Sequence, residues 1–171
     1  MKIILLGYMA SGKTIIANKL SDKITLKHID LDSYIEKKEG LTIPEIFKNK
    51  GEIAFRLMEH HYLKELLFDD SDFILSVGGG TPCYANNIEL IKNHSFSIYL
   101  KANIDTLYNR IIKKKDNRPL VKDISNKDLK EFIAKHLFER NIFYDETNIK
   151  IDVNNKSVIQ IVEEIKSIID F

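Results

Sequence analysis

The sequence predicts an α/β fold in which a central parallel sheet is covered by helices on both faces. Three observations carry that expectation. Short apolar runs alternate with helical patterns from end to end of the 171-residue chain. The first apolar run leads without a break into a glycine-rich loop and a helix, and two later runs end in an acidic turn and in three glycines. Consecutive parallel strands need crossover connections, which the intervening helices supply.

Residues 3–6 (Ile, Ile, Leu, Leu) form the first strand, and Ile15, Ile16, Ala17 and Leu20 recur at helical spacing just after the loop. Residues 26–30 read as a second strand, after which a helix opens near Leu31. Residues 43–49 and 52–68 read as two helices broken at Gly51, with Thr42 as N-cap and Pro44 in the first turn. Residues 73–77 and 95–100 are apolar strands, and 104–112 a helix. The basic stretch 113–117 runs into Arg118-Pro119-Leu120 and reads as a mobile loop. Residues 127–144 are helical, 149–153 a strand, and 157–169 a last helix. No repeat, low-complexity tract or linker marks a boundary, so one domain is expected.

Composition excludes several classes. With 44% hydrophobic and 30% charged residues and a net charge of +1, the chain has the balance of an ordinary globular protein and no charge excess to draw it to nucleic acid or a membrane surface. The lone Cys83 has no partner for an internal disulfide, which fits a reducing, cytoplasmic setting. The apolar run at 3–6 is too short for a signal peptide, and no run approaches the roughly 20 residues that span a bilayer.

The loop Gly7-Tyr8-Met9-Ala10-Ser11-Gly12-Lys13-Thr14 matches G-x-x-x-x-G-K-[ST] between a strand and a helix, the context in which this pattern cradles a polyphosphate. Backbone N–H groups at the positive end of the helix face the phosphates. Lys13 reaches the β- and γ-phosphates, and the Thr14 hydroxyl ligates Mg²⁺. Asp30 and Asp32 stand at a strand-to-helix junction, where one carboxylate can hold the metal or its waters and the other accept from a hydroxyl, or where either can cap the helix. Gly78, Gly79 and Gly80 allow close approach of a ligand or backbone. Arg56, Arg110, Arg118 and Arg140 either lay their stems on the surface and pair with nearby acids, as Arg56 can with Glu59, or offer a planar fork to a carboxylate or phosphate.

Taken in order, the phosphate loop, Asp30-x-Asp32, Phe55-Arg56-x-x-Glu59, the three glycines, Arg110, Arg118-Pro119-Leu120 and Leu137-x-x-Arg140-x-x-x-Tyr144 resemble the shikimate kinase family over nearly the whole chain. The resemblance implies a P-loop NTPase-type three-layer α/β/α fold, similar to nucleoside monophosphate kinases, with a mobile lid near 112–124 and a substrate-binding helical region near 32–62. It implies ATP-dependent phosphorylation of the 3-hydroxyl of shikimate by a cytoplasmic monomer that uses Mg²⁺. By the same resemblance Ala10, Ser11, Gly12, Lys13, Thr14 and Ile15 hold the nucleotide, Arg110 packs by the adenine, and Thr14 and Asp30 serve the metal. Asp32 contacts the shikimate hydroxyls and is the base or orienting group. Arg56 and Arg140 hold the substrate carboxylate beside Gly78, Gly79 and Gly80, and Arg118 closes over the transferring phosphate together with Lys13.

The chain departs from that pattern in three places. Ala10 replaces a usual glycine, at a cost of roughly 1 kcal/mol where the position takes positive φ. Thr81-Pro82-Cys83 replaces a more apolar continuation, and the expected base-binding loop at 154–157 offers Asn154 where an arginine is common. Another small-molecule kinase, such as a gluconate or nucleoside monophosphate kinase, and a non-catalytic nucleotide-binding regulator are the alternatives. His60-His61 reads as structural or surface residues, and the Lys113-Lys114-Lys115 run as a solvated lid segment.

Overall fold

The computed structural model describes residues 1–113, 115 and 121–169. Among them five strands, β1 (Lys2–Leu6), β2 (Lys27–Asp30), β3 (Phe73–Ser76), β4 (Phe96–Lys101) and β5 (Ile149–Asp152), pair in parallel in the order β2-β3-β1-β4-β5. β1 is central, with Ile3 opposite Ile74 on one side and Phe96 on the other. Because side chains alternate across a strand, Ile3 and Leu5 enter one core while Ile4 and Leu6 enter the other. Both faces of the sheet are therefore covered, which explains an unbroken apolar run where a half-exposed strand would alternate.

On the Ile3 face lie α1 (Lys13–Ile24), α5 (Ile104–Ile112), α6 (Asn126–Tyr144) and α7 (Val158–Ile169), through Ile16, Leu107, Ile133 and Ile161 among others. On the Ile4 face lie α2 (Leu31–Glu39), α3 (Ile43–Phe68) and α4 (Asn87–His94), through Ile35, Phe55, Leu63 and Ile91. Thr42 caps α3 in a capping box with Glu45, and Pro44 stands in its first turn. Gly51 breaks the helix with φ 82°, ψ 172°, so the two expected helices meet at a kink.

Two short elements escape the sequence pattern. A 3-10 turn at Thr81–Cys83 and the eight-residue α4 follow the three glycines. α4 has no side-chain N-cap bond and buries only Asn87, Ile88 and Ile91, too brief a period to separate helix from loop. No helix among the described residues is long and apolar enough to cross a membrane. The lid expected near 112–124 is described only in part; its return is anchored by Val121, which is fully buried, and Arg118 lies outside the described residues.

Candidate active site

The carboxyl ends of β1, β2 and β3 open onto one cavity of about 690 Å³, as an open parallel sheet requires. Its walls are the loop Met9 to Gly12, the first turn of α1 from Lys13 to Ile16, Asp30 and Asp32, Gly78 and Gly79, and, at the far end, Arg110, Lys156 and Val158.

The phosphate loop is wound by left-handed backbone at Ala10 (φ 64°) and by Gly12 (φ 105°). Gly12 precedes α1 without a side-chain cap, so the helix's first N–H groups are left for a ligand. Ser11 N donates to Tyr8 O at 3.1 Å, which closes the loop. Ser11 Oγ is buried with no hydrogen-bond partner among the described residues. The Lys13 ammonium donates to Gly7 O (2.8 Å) and Tyr8 O (3.1 Å), across the space that phosphates would enter. These donors and this cradle fit a nucleoside triphosphate.

Thr14 Oγ1 donates to Asp30 Oδ2 at 3.3 Å, and Ser76 Oγ donates to the same oxygen at 2.8 Å. Asp30 Oδ1 accepts from Ser33 N at 3.3 Å, so Asp30 also caps α2, and the two readings of this residue are compatible. His28 stands behind, bonded to Ser76 Oγ at 3.0 Å and Asn18 Oδ1 at 2.7 Å; burial lowers its pKa while Asp30 opposes the shift. A hydroxyl and a carboxylate facing a phosphate site are hard oxygen donors that fit Mg²⁺, which takes few protein ligands and completes its shell with phosphate and water.

Asp32 sits in the first turn of α2 with its carboxyl pKa raised from 3.8 to about 6. Burial is the main cause, the carboxylates of Asp30 and Glu59 add to it, and Lys13 opposes them. That places it within range of a general base near neutral pH.

The glycine turn explains how the remaining charges converge. A Cβ on Gly80 would lie 2.7 Å from Arg56 Nη2, so any side chain here would push this guanidinium from its place. The Cβ position of Gly79 is 3.3 Å from Arg140 Nη1, 3.4 Å from Gly7 O and 3.5 Å from Met9 N, while that of Gly78 is 3.7 Å from Asp32 Oδ1. One turn therefore touches two arginines, an aspartate and the phosphate loop. Arg56 Nη1 donates to Glu59 Oε2 at 2.7 Å, and Thr81 Oγ1 donates to the other oxygen at 2.5 Å; Glu59 is 1% exposed. Asn87 Nδ2 donates to Thr81 O, and His60 Nδ1 bonds Asn87 Oδ1, which gives His60 a structural role. Cys83, beside this cluster, has its thiol pushed up to about 11 by burial, against the pull of Arg140 and Arg56.

Two expected nucleotide residues are differently occupied. Arg110 lines the cavity but donates to Ala10 O (3.2 Å), Ser11 O (3.1 Å) and Val153 O (3.3 Å), clamping the phosphate loop to the end of β5. Asn154 is not among the cavity's lining residues; its Oδ1 accepts from Asn103 N at 3.0 Å. Lys156 and Val158 face that end of the cavity instead. Sequence reasoning also assigned no role to Tyr8 and Tyr144. Tyr144 Oη donates to Gly79 O at 2.5 Å and so holds the glycine turn. The phosphate-loop pattern leaves position 8 open to any residue, and Tyr144 on α6 entered only as a member of the family's series, so only the fold exposes their contacts.

Comparison with known proteins agrees with this geometry. Residues 9–170 match the family model described as shikimate kinase. The chain is 47% identical over 169 residues to a shikimate kinase of Flavobacterium johnsoniae and 48% identical over 169 residues to that of Flavobacterium psychrophilum, in each case with 98% of both chains covered. Among solved structures it superposes on shikimate kinase from Bacteroides thetaiotaomicron with a TM-score of 0.92 at 28% identity, covering 100% of this chain and 99% of that one. It also superposes on shikimate kinase from Acinetobacter baumannii in complex with shikimate, with a TM-score of 0.87 at 30% identity and 98% and 92% covered. With sequence match, fold and charged cluster in agreement, the chain belongs to the shikimate kinase family.

Proposed function

We propose that this cavity passes the γ-phosphoryl group of ATP to the 3-hydroxyl of shikimate, giving shikimate 3-phosphate and ADP. The observation that carries the reading is the turn of Gly78, Gly79 and Gly80, which sets Arg56 and Arg140 beside Asp32 and against the phosphate loop. Two guanidinium forks suit a small carboxylate bidentately, and a buried aspartate suits the hydroxyls of the same molecule.

Phosphoryl transfer asks mainly for alignment and for stabilisation of charge. The uncapped first turn of α1 and the Lys13 ammonium receive the phosphates. Thr14 and Asp30 would hold Mg²⁺, which would supply charge stabilisation to the transferring phosphoryl group. Asp32 orients the acceptor hydroxyl and takes its proton as the new O–P bond forms and the bond to ADP breaks. Glu59 holds Arg56 through Nη1 and the exposed Glu52 lies 3.7 Å from its Nε, which leaves Nη2 to face the substrate. The same reading takes the chain to act as a monomer in the cytoplasm.

The test is ADP release from the purified protein with ATP and Mg²⁺, in the presence of shikimate, gluconate, a nucleoside monophosphate or no acceptor. Stimulation by shikimate alone is expected. ATP binding without stimulation by shikimate would overturn the reading in favour of another kinase or a non-catalytic binder.

A further inference from the structure

Both arginines of the acceptor site lie over an aromatic ring, the Arg56 guanidinium carbon 5.3 Å from the centroid of Phe55, but they differ in their acidic partners. Arg56 rests on a carboxylate, Glu59, at 2.7 Å. Arg140 has no carboxylate bonded to it among the described residues. Its guanidinium carbon lies 5.5 Å from the centroid of the Tyr8 ring. Tyr8 belongs to the phosphate loop and is 1% exposed. Its hydroxyl shares a hydrogen bond of 3.1 Å with His136 Nδ1, and burial raises its pKa to about 12, so it stays a neutral phenol.

His136, Arg140 and Tyr144 recur every fourth residue on α6 and so share one face. The first bonds the phosphate loop through Tyr8, the second lies over that ring and beside Gly79, and the third bonds Gly79 O. Phe132, one turn earlier, stacks on His136 with ring centroids 4.2 Å apart and fixes the imidazole. A carboxylate partner, as Glu59 is for Arg56, offsets part of a guanidinium's charge. An aromatic face attracts the cation through its quadrupole and leaves that charge available.

From this arrangement we infer that Tyr8, anchored by His136, is a positioning residue for Arg140: it sets the guanidinium's reach toward the acceptor carboxylate and makes the phosphate loop part of acceptor recognition. The inference rests on the reading of Arg140 as a carboxylate-binding residue. The general phosphate-loop pattern leaves this position open to any residue, so the requirement comes from the acceptor side of the site.

The experiment measures KM for shikimate and for ATP in the full-length enzyme. Tyr8→Leu, which removes the ring, is expected to raise the shikimate KM roughly five-fold and the ATP KM by less. Tyr8→Phe keeps the ring and should restore most of the shikimate affinity. Tyr8→Leu in an Arg140→Ala background should add no further rise, because the two side chains act as one. Because Tyr8 is buried, a second series holds its shape: phenylalanine and progressively fluorinated phenylalanines placed at position 8 should raise the shikimate KM with fluorine count. An unchanged shikimate KM in Tyr8→Leu, equal rises for both substrates, or no gradation along the fluorinated series would overturn the role of Tyr8. If Arg140→Ala itself leaves the shikimate KM unchanged, the carboxylate reading falls and this inference with it; if Arg140→Ala raises it while the Tyr8 variants do not, only the role of Tyr8 falls.

Discussion

Asp32→Asn should make the protein more stable and less active at once, and the size of the stability gain follows from the site. The Asp32 carboxyl is raised from 3.8 to about 6 by burial and by Asp30 and Glu59. Between those values the unfolded chain has released a proton that the folded chain retains, so stability falls as pH rises through this window and the full penalty is present above about pH 6. A shift of this size corresponds to a ceiling of about 3 kcal/mol at 1.36 kcal/mol per unit. Because Asp32 keeps part of its surface in the open cavity, solvent screening reduces this to the order of 1–2 kcal/mol. Asparagine carries no charge and escapes the penalty. Without ligands, Asp32→Asn should therefore melt about 2–8 °C above the parent at pH 8, and the difference should shrink toward zero at pH 4. Turnover should fall by roughly 10²-fold or more, the usual contribution of a general base, with the KM for ATP little changed. Calorimetry of both proteins at the two pH values, beside steady-state kinetics, decides the matter. A variant no more stable at pH 8, or equally favoured at pH 4, would refute the electrostatic argument; a loss shared equally by kcat and ATP affinity would remove Asp32 from its acceptor-side role.

Further outcomes can be checked on the same preparation. Arg140→Ala should raise the shikimate KM roughly 30-fold, the loss of a bidentate charged contact, with ATP affinity measured alongside as the control. Gly80→Ala places a methyl group 2.7 Å from Arg56 Nη2 while Glu59 holds that guanidinium in place; the shikimate KM should rise about ten-fold or more, and an unaltered value would show that Arg56 does not bind the acceptor. Ala10→Gly relieves a left-handed alanine at φ 64°, and a gain of about 0.5–1 kcal/mol should appear as a melting point roughly 1–4 °C higher. Chelation of Mg²⁺ should abolish ADP release and its re-addition restore it; activity surviving chelation would contradict the assignment of Thr14 and Asp30.

The fold class, the phosphate loop and the charged residues that gather at the glycine turn were legible in the chain alone. Those features are written in local signals: unbroken apolar runs such as residues 3–6, a loop pattern of fixed spacing between strand and helix, and the ordered series of aspartates, glycines and arginines that resembles one family. α4 was not legible, because eight residues with three buried positions give too short a period. The interior partners were not legible either. That Asp30 both caps α2 and receives Thr14, that Arg110 clamps loop carbonyls, that Asn154 turns away to Asn103, and that Thr81 completes the Glu59 pair all depend on chain segments tens of residues apart. Only the tertiary structure decided these. Burial and charge at a point in space are sums over everything packed around it, which is why the raised pKa of Asp32, set first by burial and then by Asp30 and Glu59, was not legible in the chain.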